Sequence, residues 1–232
     1  MAEITVRDAA RNNAEWCDAF CRTHGIVGHW NVAAWTSALR TPSFYPDAVS
    51  VVPGCSVEAL VSRVDASSGC SIKDSFADLD LAVGGFEILF TAEWVCLDRA
   101  SLPRADRWSV VADPAELERW ETAWGASPPE RPFFRRELLT DPRISVLVRS
   151  EGGRVCGGAI ANRGGDVVGL SNVFDLEGDI ESVWHEAASA AQDIWGRIPV
   201  VGYEEGESLA AAHQAGFKTI GSLVVWINSP HL

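Results

Sequence analysis

The sequence predicts an α/β fold with a mixed central sheet, complete in the C-terminal half of the chain and partial in the N-terminal half. Three stretches carry that expectation. Residues 166–174, Asp-Val-Val-Gly-Leu-Ser-Asn-Val-Phe, are apolar and β-branched enough for a strand buried on both faces. Ile180, Val183, Trp184, Ala187, Ala191, Ile194 and Trp195 recur at helical spacing and give residues 179–195 one wide apolar stripe. Residues 198–202, Ile-Pro-Val-Val-Gly, are short and apolar, and a strand, crossover helix and strand of these lengths favour parallel pairing. A helix over 208–214, Gly216 as its stop and a two-strand finish over 217–227 complete the C-terminal order.

The remaining elements follow in chain order. Residues 7–22 form a helix with Trp16, Cys17, Phe20 and Cys21 on one face. Residues 48–52 read as a strand, Ser56 as a helix cap, and Val57, Leu60, Val61 and Val64 as the stripe of a short helix. Residues 70–74 are the next strand. Ser75-Phe-Ala-Asp78 has the spacing of a capping box and predicts a helix, and residues 84–95 predict a further pair of strands. Gly85-Phe86 with Trp94-Val95 mirrors Gly216-Phe217 with Trp226-Ile227, which suggests an internal repeat. Residues 97–107, with Pro103 and mixed charges, are the expected linker, so the division falls into residues 1–105 and 106–232. Residues 108–112 are a strand, and Asp113-Pro114-Ala-Glu116 opens a helix continued by Leu117, Trp120 and Trp124. A short helix over 131–139 stops at Thr140-Asp-Pro142, and Glu151-Gly-Gly153 joins strands 144–149 and 154–162 as a hairpin.

Composition narrows the partners. A net charge of −13 with no clustered Lys or Arg excludes a phosphate-tracking surface, so nucleic acid is not an expected partner. The ten tryptophans sit inside apolar helix and strand patterns and are assigned to packing. No apolar run approaches the ~20 residues of a membrane helix, and the start has no signal-peptide pattern, so a cytoplasmic protein is expected. Six cysteines without a Cys-x-x-Cys pair fit reduced thiols. Cys17, Cys21, His24 and His29 invite a zinc reading, but the two cysteines share a helix's apolar face, and packing is the better assignment; no metal is expected.

The order of elements over 106–228, with the closing Ala-Gly-Phe-Lys-Thr-Ile-Gly-Ser-Leu-Val-Val-Trp-Ile227, resembles the GCN5-related N-acetyltransferase family. The resemblance implies a sheet of acyl-CoA N-acyltransferase type, preceded by a partial module as in tandem members. It implies acetyl-CoA as acyl donor, lying between two splayed parallel strands, and transfer to a primary amine on a small molecule or peptide. A homodimer is compatible with it. The matching positions are Asn172, Val173 and Phe174 for the strand end that bonds pantetheine, and residues 175–180 for the pyrophosphate loop, where Gly178 and Asp179 would serve.

Two family features are absent. The family's loop reads Arg or Gln, two residues, Gly, one residue, Gly or Ala, and works through backbone N–H groups at a positive helix end. Here Asp175, Glu177, Asp179 and Glu181 surround Gly178, and no Lys or Arg lies between Arg163 and Arg197 to offset their repulsion of phosphate. The tyrosine that protonates the leaving thiolate is replaced by Ala212, leaving the adjacent His213 as a candidate acid. Tyr203 and Glu204 follow the second parallel strand, whose carboxyl end is where ligand sites gather, and Glu204 is the leading general base. Against the transferase stands a second reading, a non-catalytic binding or assembly module that keeps the fold.

Overall fold

The computed structural model describes residues 3–98, 107–125 and 132–229, so the expected linker at 97–107 lies almost wholly outside the described residues. Two compact units emerge: one joins Glu3–Trp94 to the end of the chain from Ile220, and the other is Val95–Thr219.

In the first unit, α1 (Val6–Thr23) is closed at its start by Thr5 and Asp8 in a reciprocal capping box. It buries Trp16, Cys17, Phe20 and Cys21, the face expected from the sequence. Two short strands absent from the sequence expectation follow, β1 (His29–Trp30) and β2 (Ala34–Thr36), then β3 (Ala48–Ser50). Ser56 caps α2 (Val57–Val61) by accepting the Ala59 N–H at 3.2 Å. β4 (Ser71–Asp74) runs parallel to β3.

The helix expected from Ser75-Phe-Ala-Asp78 does not form. The preceding Asp74 takes the N–H groups of Phe76 and Leu79 at 3.2 and 2.9 Å, which folds the chain into a turn, and Ala77 adopts a left-handed φ of 52°. Only a 3-10 turn at Ala82–Gly84 remains. The pair of strands expected over 84–95 is instead one strand, β5 (Glu87–Leu97), because Thr91-Ala92-Glu93 offers no turn-forming residue.

The second unit begins with the end of β5 and continues through β6 (Trp108–Val110) and α3 (Pro114–Trp124). Asp113 caps α3 by accepting the N–H groups of Ala115 and Glu116, both at 2.9 Å. The expected helix over 131–139 starts outside the described residues, and its described part is a 3-10 turn at Arg136–Thr140. β7 (Ile144–Glu151) and β8 (Arg154–Gly164) form the expected hairpin, with Gly152 and Gly153 at φ 57° and 80° in its two-residue turn.

β9 (Val167–Asp175), α4 (Ile180–Trp195) and β10 (Val200–Glu204) follow as expected, with β9 and β10 parallel. α5 (Gly206–Gln214) leads to one final strand, β11 (Lys218–Ile227), where two were expected. The core of this unit gathers Trp184, Ala187, Ala188 and Ala191 of α4 against Val168, Leu170, Val200 and Phe217.

Strand order is β1-β2-β3-β4 in the first unit and β10-β9-β8-β7-β6 in the second, while β5 and β11 are each divided between the units, at Trp94/Val95 and Thr219/Ile220. Residues 224–227 of β11, expected to finish the C-terminal sheet, pair antiparallel with β4 instead. Each unit therefore finishes with strand residues from the other half of the sequence, and the compact units do not follow a division at 105/106. The physical reason is the open edge that a parallel pair leaves, which any strand of suitable pattern can satisfy, wherever it lies in the sequence.

Candidate functional site

The geometry centres on the carboxyl ends of β9 and β10. Their parallel pairing lasts for two residue pairs, Val200 with Val168 and Val201 with Gly169. Past Gly169, β9 continues to Asp175 with no further pairing to β10. On its other side Gly158 pairs with Phe174 and Ile160 with Ser171, so Asn172 and Val173 together face the single residue Ala159. This is a β-bulge, and Asn172 takes the left-handed φ of 52° that the extra residue demands. A bulge breaks the alternation of backbone groups and re-aims an N–H out of the ladder. Its position coincides with the three residues, Asn172, Val173 and Phe174, singled out as the thioester-binding strand end.

Packing holds that tip in place. Val173 packs against the core of the second unit, and the Phe174 ring lies edge-on to Trp120 at 5.3 Å. Gly158 makes this possible, since a Cβ there would lie 2.3 Å from Trp120 Nε1 and 2.6 Å from Phe174 Cε1.

Glu204 is the last residue of β10, half-buried, rather than part of a solvated turn. Burial, with a smaller contribution from the Glu205 carboxylate, pushes its carboxyl up to about 7. Among the described residues no hydrogen bond or ion pair engages it. Tyr203 precedes it, half-buried, and strand alternation turns the two side chains to opposite faces of the sheet. His213 is exposed on α5, with Nε2 3.0 Å from Thr219 Oγ1, while Ala212 is fully buried in the core. The position that a proton-donating tyrosine would occupy is thus filled by a methyl group facing the core.

The loop from Asp175 to α4 departs most from expectation. Gly178 has φ 80° with open space where a Cβ would stand, and Asp179 caps α4 by accepting the Ser182 N–H at 3.3 Å. The Asp179 N–H, however, donates to the carboxylate of Asp175 in a short hydrogen bond. Asp175 also meets Arg149 Nη1 at 3.4 Å, and both side chains are only 4% exposed. Glu177 faces Arg107 at 3.1 Å, Arg154 at 3.2 Å and Arg149 at 3.8 Å. Arg149 Nε lies 3.2 Å from Glu186 of α4, whose carboxylate accepts the Trp108 indole N–H at 2.8 Å.

The expected uncompensated repulsion around Gly178 is therefore corrected for two of the four acids: arginines distant in sequence pair with Asp175 and Glu177, while no described ion pair engages Asp179 or Glu181. Sequence reasoning missed them because it looked for cations only along the loop. One signal was available, since Arg149 has the strand parity of Ser145 and Leu147, which makes it a buried charge in need of counter-ions.

The loop is poorly matched to the diphosphate of acetyl-CoA. Protein carboxylates already hold the Asp179 and Ser182 N–H groups and the guanidinium groups of all three arginines. Elsewhere, Cys17 and Cys21 pack on the buried face of α1, and the described residues contain no cluster of three potential metal ligands. No described helix is long and apolar enough to cross a membrane.

No protein-family model and no curated protein matches the sequence. Solved structures do match the fold. A GCN5-related N-acetyltransferase from Kribbella flavida aligns over 96% of this chain and 96% of its own, with 15% identity and a TM-score of 0.63. A GNAT-family protein from Novosphingobium aromaticivorans aligns over 98% and 100%, with 11% identity and a TM-score of 0.61. An acetyltransferase of the GNAT family from Colwellia psychrerythraea aligns over 98% and 98%, with 13% identity and a TM-score of 0.51. The mixed α/β sheet, with β9 and β10 parallel and paired over two residues, is thus the acyl-CoA N-acyltransferase fold of the GCN5-related N-acetyltransferases.

Proposed function

We propose that this protein is an N-acyltransferase that moves an acetyl group from a thioester to a primary amine at the carboxyl ends of β9 and β10. The observation that carries the reading is Glu204: a half-buried carboxyl lifted to about 7, without a partner among the described residues, on the strand beside the bulged tip of β9. A group with that basicity holds and releases a proton at neutral pH, which suits a general base and gives no advantage to a structural residue.

The chemistry follows from these parts. The amine nitrogen bonds to the thioester carbonyl carbon, and a backbone N–H at Asn172–Phe174 stabilises the developing oxyanion. Glu204 takes the proton that the nitrogen sheds, directly or through one water. The C–S bond then breaks and the sulfur leaves as thiolate, a group stable enough near neutral pH to take its proton from solvent, in keeping with Ala212 offering none. Acetyl-CoA is the donor that the fold suggests, and the bulged strand end supports its acyl-pantetheine portion, whereas the 175–179 loop does not support its diphosphate.

The first unit fits a degenerate repeat of the same design. The N–H groups of Gly85 and Phe86 donate to the carbonyls three and five residues back, Ala82 and Leu81, and those of Gly216 and Phe217 do the same with His213 and Ala212.

Acetyl transfer to a panel of small amines and peptides tests the reading. We expect kcat/KM to rise with pH and level off above about 7, and Glu204→Gln to lower it by roughly 10²–10⁴-fold while abolishing that rise. Thioester binding without turnover in the unmodified protein would reject catalysis in favour of a binding module.

A further inference from the structure

We propose that the loop between β9 and α4 carries its own anion, so that the donor this site takes is an acyl-pantetheine thioester recognised without its nucleotide diphosphate. The inference rests on the acyltransfer reading above and names the donor class for that same site.

At the start of α4 the groups that would meet a diphosphate are the Asp179 and Ser182 N–H groups and the arginines beside them. Asp175 takes the first with its carboxylate and Asp179 the second. Asp175 is locked there, since it and its counter-ion Arg149 are each 4% exposed. Glu177 engages Arg107 and Arg154, and Glu186 engages the Nε edge of Arg149. The ion-paired groups are Arg107, Arg149 and Arg154 against Glu151, Asp175, Glu177 and Glu186, and Asp179 at the cap and Glu181 in the first turn of α4 add further negative charge.

A diphosphate approaching this helix end finds the Asp179 and Ser182 N–H groups and the three arginines already engaged by carboxylates, and meets the charges of Asp175, Glu177 and Asp179 on its way to the N–H groups of Gly178 and Ile180 that remain. To use the arginines it must break their ion pairs, one of them buried, so whatever it gains from them it loses in parting them from their partners. The acyl-pantetheine portion is unaffected, because its partners are the backbone groups of the β9 tip, on the other side of Asp175 in sequence. Such a thioester can be free acetyl-CoA or a pantetheine arm carried on another protein, and the site's chemistry does not favour the first.

The test compares acetyl-CoA with S-acetylpantetheine as donors on the full chain, with ADP and inorganic pyrophosphate as competitors. We expect kcat/KM values within roughly threefold of each other and no inhibition by either competitor. Asp175→Asn keeps the shape, removes the charge and releases Arg149 from one of its three carboxylates, so it should shift preference toward acetyl-CoA by roughly tenfold. A preference for acetyl-CoA above roughly thirtyfold in the unmodified protein, or competition by ADP at micromolar levels, would overturn the inference even if Asp175→Asn fails to fold. Failure of both donors to bind or react would overturn the acyltransfer reading itself, a different result from a strong preference between them.

Discussion

In β3 and β4 two residue pairs hold the parallel register, Ala48 with Ile72 and Val49 with Lys73, and in β9 and β10 two pairs do the same. Both pairs are followed by an acid at the end of the second strand, Asp74 in one and Glu204 in the other. The strand ends then diverge. In the first unit the Ser75 N–H donates to Ser50 Oγ at 2.9 Å, stitching the end of β4 to the end of β3, and the Asp74 carboxylate is held by two backbone N–H groups. In the second, no such bond is found past the two pairs, and Glu204 has burial without a partner among the described residues. Burial raises the pKa of both acids, but only in Asp74 do backbone N–H groups pull back against it. One arrangement spends its acid on folding; the other leaves it free to exchange a proton.

The largest effect expected from this contrast is on the first unit. Asp74→Ala orphans the Phe76 and Leu79 donors, of which Leu79 belongs to the core, and each buried unsatisfied group costs about 1–3 kcal/mol. We expect a loss of about 2–5 kcal/mol in urea denaturation, with acyl transfer per folded molecule unchanged. A loss below about 1 kcal/mol would mean that Asp74 is not a structural clamp and that the two strand ends do not differ in this way.

Next comes Glu204, where the effect has the opposite sign. Its carboxyl moves from an ordinary 4.5 to about 7 in the folded state, so the folded protein binds that proton more tightly than the unfolded chain does. The resulting cost is full above about pH 7 and gone below about pH 4.5. Glu204→Gln removes it, and because the group is half-buried we expect a gain of about 2–3 kcal/mol at pH 8 that vanishes near pH 4. A variant that loses both activity and stability at pH 8 would break the comparison, since Glu204 would then be held by a partner as Asp74 is.

Much of this was legible in the sequence where the signal is local. Asp113-Pro114 fixed the start of α3, and Gly152-Gly153 fixed a hairpin turn, because caps and turns are decided within a few residues. The parallel β9-α4-β10 unit was legible because its apolar runs have the lengths that a crossover needs. Non-local choices were not. Nothing within residues 218–227 states that this strand pairs with β4, since β-branched runs such as Leu-Val-Val-Trp-Ile suit any open edge. Ser75-Phe-Ala-Asp78 misled because Asp74, one residue earlier, competes for the same N–H groups. At the site, the strand-end residues and Glu204 could be named from their place after apolar runs, whereas the arginines that pair with Asp175 and Glu177 come from residues 107, 149 and 154.

The smallest expected effect probes how that pairing is shared. Arg154 is 65% exposed and meets Glu177 at 3.2 Å, while Arg149 is 4% exposed and meets three carboxylates. An exposed pair contributes about 0.2–1 kcal/mol and less in high salt, because solvent and ions already screen it. Glu177 also retains Arg107 at 3.1 Å when Arg154 is removed, and the Asp175 bond to the Asp179 N–H does not involve Arg154 at all. Arg154→Gln should therefore change stability by less than about 1 kcal/mol, approach zero in about 0.5 M salt, and leave the ratio of rates with acetyl-CoA and S-acetylpantetheine unaltered. A loss above about 2 kcal/mol, or a shift in donor preference, would show that the three arginines act as one network and that the closure of the loop is only as strong as its most exposed member.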